Sequence, residues 1–313
     1  MKPNVLMTAP MMPHIEAALD QAYVVQRLWQ AENEDAFFEK HGASFVAVAT
    51  GGHHRADGAL MDRMPNLKII SSFGVGVDHI DLDAAAARNI IVGNTPDVLN
   101  DDVANLAIAL VFATTRRLVE WDKYVRAGLW VRDGNPPLAR GIHGKTVGIL
   151  GLGRIGKDIA RKLEVFGCNI VYSGRQAQED QAYKFYPDLT VMAAASDILI
   201  AICPGGEATH HIVNAQVLDA LGPEGTFINV SRGSVHDEVA LVKALAGGQL
   251  GAAGLDVFAD EPNVPEALLS MDNVVLQPHQ GSATVETRKA MGDRVVDNLA
   301  SYFAGNGAIS PVT

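Results

Sequence analysis

The sequence predicts an α/β chain made of two successive parallel-sheet units. Three observations carry that reading. The chain has 313 residues, 48% of them hydrophobic, with 30 glycines, which suits a globular protein of two ordinary domains. Short apolar runs of strand length alternate with segments of helical period along its length. A glycine-rich turn at residues 151–156 stands between one such run and one such segment.

Taken in order, strand signals fall at residues 5–9, 24–28, 45–50, 68–72 and 90–93. Helical segments at 15–21, 35–40, 59–63 and 82–88 separate them, so each strand returns parallel to the last and helices cover both faces of the sheet. This predicts a first, flavodoxin-like unit. Pro96 marks a boundary. Residues 101–126 read as one long helix whose apolar positions exceed a single stripe, which predicts burial on two sides, by a neighbouring domain and a partner subunit. Residues 127–144, with glycine, proline and Trp130, read as an irregular loop. A second alternation follows, with strands at 146–150, 169–172, 198–203, 226–230, 252–257 and 274–276 and helices between them. A last helix covers 285–303 and could cap either unit. The expected division is 1–98 plus 286–313 for a substrate-binding domain and 99–285 for a nucleotide-binding one, with a cleft between them.

Gly151, Gly153 and Gly156 follow a buried strand and open a helix. The first permits the tight turn, the second lets backbone N–H groups approach a pyrophosphate, and the third lets helix and sheet pack closely, with phosphate at the positive helix end. A dinucleotide site of the Rossmann kind is therefore expected. Where an NAD site usually places an acidic residue for the ribose hydroxyls, this chain has Ser173, Gly174 and Arg175. A hydroxyl and a planar guanidinium suit a 2′-phosphate, so NADP(H) is expected over NAD(H), although the guanidinium would also stack on adenine.

Composition narrows the partners. A formal charge of −11 leaves no basic surplus for nucleic acid or an anionic membrane. An acidic substrate must then be held by a few placed cations. No stretch approaches the roughly 20 apolar residues of a membrane helix, and the N-terminus lacks a leader pattern. Cys168 and Cys203 each lie in an apolar run, which predicts buried thiols in a reducing compartment, the cytoplasm. The pairs His53–His54 and His210–His211 lack the spacing of metal-ligand sets, so no metal is expected.

Three motifs follow strand ends of the second unit, where open α/β sheets place their ligands. They are residues 229–233 with Arg232, residues 254–262 with Asp256 and Glu261, and residues 277–282 with His279. Reducing a 2-oxo acid needs a carboxylate clamp, an acid for the developing alkoxide and a group that keeps that acid protonated. Arg232 suits the clamp. His279 suits the acid, because imidazole titrates near neutrality and a carboxylate neighbour, for which Glu261 is the candidate, favours its charged form.

The runs GLGRIG, NVSRG, GLDVFADEP and PHQGSAT, in this order and spacing, resemble the D-isomer-specific 2-hydroxyacid dehydrogenase family, particularly its glyoxylate/hydroxypyruvate reductase branch. The resemblance spans essentially the whole chain. It implies hydride transfer from nicotinamide to C2 of a 2-oxo acid, a homodimer joined through the nucleotide-binding domains, and catalytic roles for Arg232, Glu261 and His279. It also implies that Val75, Gly76 and Val77 present backbone N–H groups to the substrate carboxylate, a reading consistent with an anion-binding nest at a glycine-rich turn. Trp130 resembles an aromatic that reaches the partner's substrate pocket, and Ser282 joins Arg232 on the substrate side. The candidate cofactor contacts are Gly151, Leu152, Gly153, Arg154, Ile155, Gly156, Ser173, Arg175, Cys203, Pro204, Thr209, Val230, Ser231, Arg232, Asp256, His279 and Gly281. Gln280 departs from the family's usual apolar or small residue, and Glu261 argues against formate dehydrogenase chemistry, which uses glutamine there. Reduction of glyoxylate and hydroxypyruvate is the leading expectation. Larger acids such as 4-hydroxyphenylpyruvate or 2-ketogluconate are the alternative, and a cofactor-sensing dimer of the corepressor type is the alternative from another class.

Overall fold

The computed structural model describes every residue except Met1, Gly52, His53 and Thr313. The chain divides into two compact units, Met1–Leu99 with Thr284–Thr313, and Asn100–Ala283. Among the described residues, no helix is long and apolar enough to cross a membrane.

In the first unit the strands are β1 (Asn4–Met7), β2 (Val24–Arg27), β3 (Phe45–Gly51), β4 (Ile69–Phe73) and β5 (Ile91–Gly93), and the helices are α1 (Pro13–Ala22), α2 (Glu34–His41), α3 (Gly58–Asp62) and α4 (Leu82–Ala87). All neighbours pair parallel in the order β2-β1-β3-β4-β5, the flavodoxin-like arrangement. Alternation along the strands divides the core in two. Leu6, Val48 and Ile70 face Met61 and Phe38 on one side, while Val5, Met7, Ala47 and Ile69 face Ile15 and Leu19 on the other. Short polar residues start three of the helices: Asn33, Asp57 and Asp81 accept the N–H of Ala36, Leu60 and Ala84.

The second unit begins with α5 (Asn100–Thr115), α6 (Leu118–Arg126) and α7 (Leu129–Asp133). The single helix expected over 101–126 is thus two. Thr114 and Thr115 turn their hydroxyls back onto the carbonyls of Leu110 and Val111, and Arg117 then takes a left-handed backbone with φ 51°, which ends the helical run. The Arg117 side chain braces the new direction, with Nη2 2.6 Å from Glu120 Oε1 and the guanidinium 4.5 Å from the Trp121 ring. The loop expected over 127–144 also carries α7, bounded by left-handed Gly128 and by Gly134.

Seven strands follow: β6 (Thr146–Leu150), β7 (Asn169–Ser173), β8 (Lys184–Phe185), β9 (Ile198–Ala201), β10 (Thr226–Asn229), β11 (Ala252–Leu255) and β12 (Val274–Leu276). The intervening helices are α8 (Arg154–Val165), α9 (Leu189–Ala194), α10 (Ala215–Leu221), α11 (Glu238–Ala246) and α12 (Glu266–Leu269). The sheet is parallel throughout, in the order β12-β11-β10-β9-β6-β7-β8. The strand order reverses between β6 and β9, the switch point of a Rossmann sheet. The helix α5 lies against β11, where Gly254 leaves room: a Cβ there would come 3.2 Å from Leu110 Cβ and 3.3 Å from Thr114 Cγ2.

The last helix, α13 (Val285–Phe303), returns to the first unit, capped by Thr284, whose hydroxyl accepts the Thr287 N–H. The unit boundaries therefore fall at 99/100 and 283/284, beside the 98/99 and 285/286 expected. Val295 and Leu299 join the core on the Ile15 side, and Gly292 lies against Ile15, whose side chain occupies the space a Cβ would need. Gly292→Leu is expected to destabilise the chain by about 1–3 kcal/mol through overpacking. The measurement is the midpoint of urea unfolding, and an unchanged midpoint would show that this contact is not tight.

Candidate active site

The glycine-rich turn leaves β6 at the switch point. Gly151 has φ +102°, and a Cβ on it would lie 2.8 Å from the Cys203 backbone, so only glycine lets these two segments meet. A Cβ on Gly156 would run into the Gly151 carbonyl, whereas one on Gly153 would meet nothing within 4 Å. Gly153 caps α8 with no side-chain hydrogen bond, so the cap itself supplies no side-chain acceptor to the first N–H groups of that helix. The turn is tied to its neighbours: Gly151 N–H donates to Ser173 O at 2.9 Å and Ile202 N–H to Leu150 O at 2.9 Å. Predicted residues of three separate segments, 151–156, 173 and 203, are thereby collected at the carboxyl ends of β6, β7 and β9. A positive helix end, an open glycine and close backbone approach fit a dinucleotide pyrophosphate.

Beyond β7, Arg175 is exposed, and among the described residues no acidic side chain pairs with it. The segment that carries it is anchored by a residue sequence reasoning missed. Gln178 Nε2 donates to Leu152 O at 2.8 Å, and its backbone N–H donates to the Tyr172 hydroxyl at 2.7 Å. Leu152 is buried. After β9, Thr209 Oγ1 donates to Pro204 O at 2.7 Å and closes that loop. Burial pushes the Cys203 thiol up to about 11, which makes it an un-ionised wall residue rather than a nucleophile.

The second cluster sits at the ends of β10, β11 and β12. These strands are adjacent, with Asn229 opposite Leu255 and Leu255 opposite Leu276. Backbone bonds extend the register past the strand ends: Asp256 N–H donates to Asn229 O at 2.9 Å, and His279 N–H donates to Asp256 O at 2.9 Å. Val230 and Ser231 are buried at the start of the turn, and Arg232 Nη1 donates to Ser231 O at 2.7 Å. Gly233 packs its α-carbon against the Phe258 carbonyl, with no room for a Cβ. Glu261 bridges two segments. Its Oε1 accepts the Phe258 N–H at 3.1 Å and its Oε2 lies 2.8 Å from His279 Nδ1, which donates to it. This bond fixes the orientation of the ring.

His279 itself has φ +55°, a left-handed conformation that costs a non-glycine residue on the order of 1 kcal/mol or more and is held only by its surroundings. Asp256 is what holds it. This side chain, 1% exposed, accepts the N–H of Gln280 at 2.6 Å and of Gly281 at 2.8 Å. Burial raises the Asp256 pKa above the ordinary carboxylate range, and the two N–H donors oppose that rise. Its carboxylate oxygens are thus turned toward the chain's own backbone, a use that no spacing pattern signals.

In the first unit, the loop after β4 is pinned at its start. Gly74 N–H donates to Thr95 Oγ1 at 3.1 Å, and Asn94 Nδ2 donates to Val75 O at 2.9 Å. Among the described residues, the N–H groups of Val75, Gly76 and Val77 have no acceptor. Trp130, on α7, is 56% exposed and donates to Asn135 Oδ1 at 2.9 Å, away from the clustered residues in sequence and element. Ser282 is half-buried beside Gly281. Of the histidine pairs, His53 lies outside the described residues, and the His210 and His211 rings stack at 3.9 Å. Among the described residues, no group of three or more His, Cys, Asp or Glu is arranged to hold a metal ion.

Comparison with known proteins identifies the family. The family model described as D-isomer specific 2-hydroxyacid dehydrogenase, NAD binding domain, matches residues 108–281. A glyoxylate/hydroxypyruvate reductase of Arabidopsis thaliana is 49% identical over 309 residues, 99% of this chain and 98% of the relative. A hydroxyphenylpyruvate reductase of Plectranthus scutellarioides is 47% identical over 99% of this chain and 98% of its own length, and a 2-ketogluconate reductase of Gluconobacter oxydans 40% identical over 99% of each. Among solved structures, the NADPH-dependent glyoxylate/hydroxypyruvate reductase of Sinorhizobium meliloti in complex with NADP and malonate superposes with a TM-score of 0.94 at 46% identity, covering 100% of this chain and 97% of that one.

Replacing Asp256 by alanine would leave the N–H donors of Gln280 and Gly281 without this acceptor, the second of them buried, where an unsatisfied donor costs about 1–3 kcal/mol. Asp256→Ala is expected to lower the unfolding midpoint and to depress turnover further than the stability loss explains, since the turn that carries His279 is released. A variant with wild-type turnover at full occupancy of the folded state would refute the brace.

Proposed function

The chain belongs to the D-isomer-specific 2-hydroxyacid dehydrogenase family, and from that premise we propose that it reduces small 2-oxo acids, glyoxylate and hydroxypyruvate first, to 2-hydroxy acids with NADPH. The observation that carries the reading is the 2.8 Å contact between Glu261 and His279, on the strand end two strands from the Arg232 turn. When bound, NADPH supplies the hydride that C2 receives.

The chain's own groups do the rest. Arg232 binds the substrate carboxylate and carbonyl through two donors. In the first unit, the N–H groups of Val75, Gly76 and Val77 suit an anion. His279 gives the proton on Nε2 to the carbonyl oxygen, while Glu261 keeps the ring oriented. The N-terminus of α8 takes the pyrophosphate. Ser173 and Arg175 take the 2′-phosphate, a reading supported by the exposed Arg175 just past β7 and by the NADP complex of the Sinorhizobium reductase.

The protein acts as a homodimer joined through the nucleotide-binding unit. Support comes from the exposed apolar residues Leu118, Val119, Val125, Trp130, Val131 and Leu138, all within one stretch of that unit. Trp130 then serves the partner's substrate pocket. Two unpaired, buried cysteines accord with the reducing cytoplasm.

Reduction of larger 2-oxo acids is the second reading, favoured by the similarity to hydroxyphenylpyruvate and 2-ketogluconate reductases. Steady-state kinetics with glyoxylate, hydroxypyruvate, 4-hydroxyphenylpyruvate and 2-ketogluconate separate the two by kcat/KM. His279→Ala is expected to lower kcat by about 10²- to 10⁴-fold, as loss of a general acid does; intact turnover would remove His279 from the mechanism. Arg175→Ala should raise KM for NADPH and leave KM for NADH alone. Wild-type preference for NADH, unchanged in that variant, would end the assignment of the 2′-phosphate site.

A further inference from the structure

Beneath the Arg232 turn lies a buried polar pair that neither hydride transfer nor proton transfer uses. Asn229, the last residue of β10, and His236, just past the turn, are both 0% exposed. Asn229 Oδ1 accepts the Ser231 N–H at 2.9 Å and the Ser231 hydroxyl at 2.7 Å. Its Nδ2 donates to Arg232 O at 2.9 Å and lies 2.9 Å from His236 Nδ1. These contacts settle the protonation of the ring. A backbone N–H can only donate, so the atom facing Ser231 is the oxygen and the atom facing His236 is the nitrogen. An amide nitrogen does not accept, so Nδ1 must, and the ring proton sits on Nε2.

That ring is costly to keep. Among the described residues, His236 Nε2 meets no hydrogen-bond partner, and the Phe227 ring lies 5.8 Å away at 61°. Burial pushes the His236 pKa down to about 4, so the ring is neutral across the working range. A leucine would fill the same space without an orphaned N–H. What leucine cannot do is accept the second N–H of Asn229.

We propose that His236 is a positioning residue for Arg232: it locks the Asn229 amide in the one orientation that grips both Ser231 and the Arg232 carbonyl, and thereby sets where the guanidinium meets a substrate carboxylate. The Arg232 carbonyl also accepts the Val235 N–H at 3.1 Å, and the His236 N–H donates to Gly233 O at 3.3 Å, so the whole turn is stapled around this amide. The inference rests on the reading of Arg232 as the carboxylate clamp.

The test compares His236→Leu, which keeps bulk and removes the acceptor, with His236→Asn, whose side-chain oxygen can replace Nδ1. Both are measured in the full-length protein by hydroxypyruvate kinetics and by NADPH binding through fluorescence. The expected result for His236→Leu is a roughly tenfold rise in KM for hydroxypyruvate, the size of one lost buried hydrogen bond, with a clearly smaller change in NADPH affinity, and recovery of KM in His236→Asn. In wild-type protein with 15N-labelled histidine, the ring signals should report a neutral, Nε2-protonated tautomer at neutral pH, a readout that stands even if a variant fails to fold. An unchanged KM in His236→Leu, a parallel loss of NADPH affinity, or a ring protonated on Nδ1 would overturn the proposal. Arg232→Ala separates the layers. If it raises KM while His236→Leu does not, only the brace is lost, and if it leaves KM unchanged the clamp itself falls.

Discussion

A carboxylate buried at the end of β11 is the constraint on which the candidate site depends. Asp256 is withdrawn from solvent, a position that disfavours its charge, and it is compensated by two backbone N–H groups from the turn after β12. Those bonds join segments that are distant in the chain. They also hold His279 in a backbone conformation that its own side chain disfavours. Glu261 can then meet the ring from the other side. The arrangement is rigid because each member is over-determined by another.

The same economy recurs on the β6 side. There the compensating device is the absence of a side chain rather than the presence of a charge. Gly151 admits the Cys203 backbone and Gly156 admits the Gly151 carbonyl, while Gly153 leaves the start of α8 uncovered. Close approach where backbone meets backbone, and open space where a ligand oxygen would sit, are two consequences of one substitution of hydrogen for Cβ. Gln178 adds a side-chain tie from the segment bearing Arg175 back to Leu152, so the elements that would meet the two ends of an adenosine phosphate are mechanically joined.

Both sheets place their candidate residues at the carboxyl ends of parallel strands. In a parallel sheet each strand is followed by a crossover, so the residues leaving successive strands gather at one edge whatever their distance in sequence. Arg232, Asp256 and His279 leave three neighbouring strands whose register is continuous. Asn229 and His236 extend this logic one layer down, where an amide and an imidazole fix the turn that carries the guanidinium.

What was legible in the sequence follows from local physics. Strand and helix periods, the glycine turn, the flavodoxin-like and Rossmann alternations and the span of Val285–Phe303 depend on residues near one another in the chain, so pattern alone reveals them. The break between α5 and α6 was hidden because apolar residues continue through it, while the cause lies in threonine hydroxyls competing for helix carbonyls. The two-residue strand β8 has no period to detect and exists through pairing with β7. The sequence by itself determined which chemistry the chain carries: an arginine, a glutamate and a histidine after apolar runs, and a glycine turn before a helix. Only the tertiary structure decided which atoms those groups face, that Asp256 serves the backbone, that Glu261 reaches His279, and that His236 must be neutral, because hydrogen bonds between distant segments are directional and no periodicity in one dimension encodes their direction.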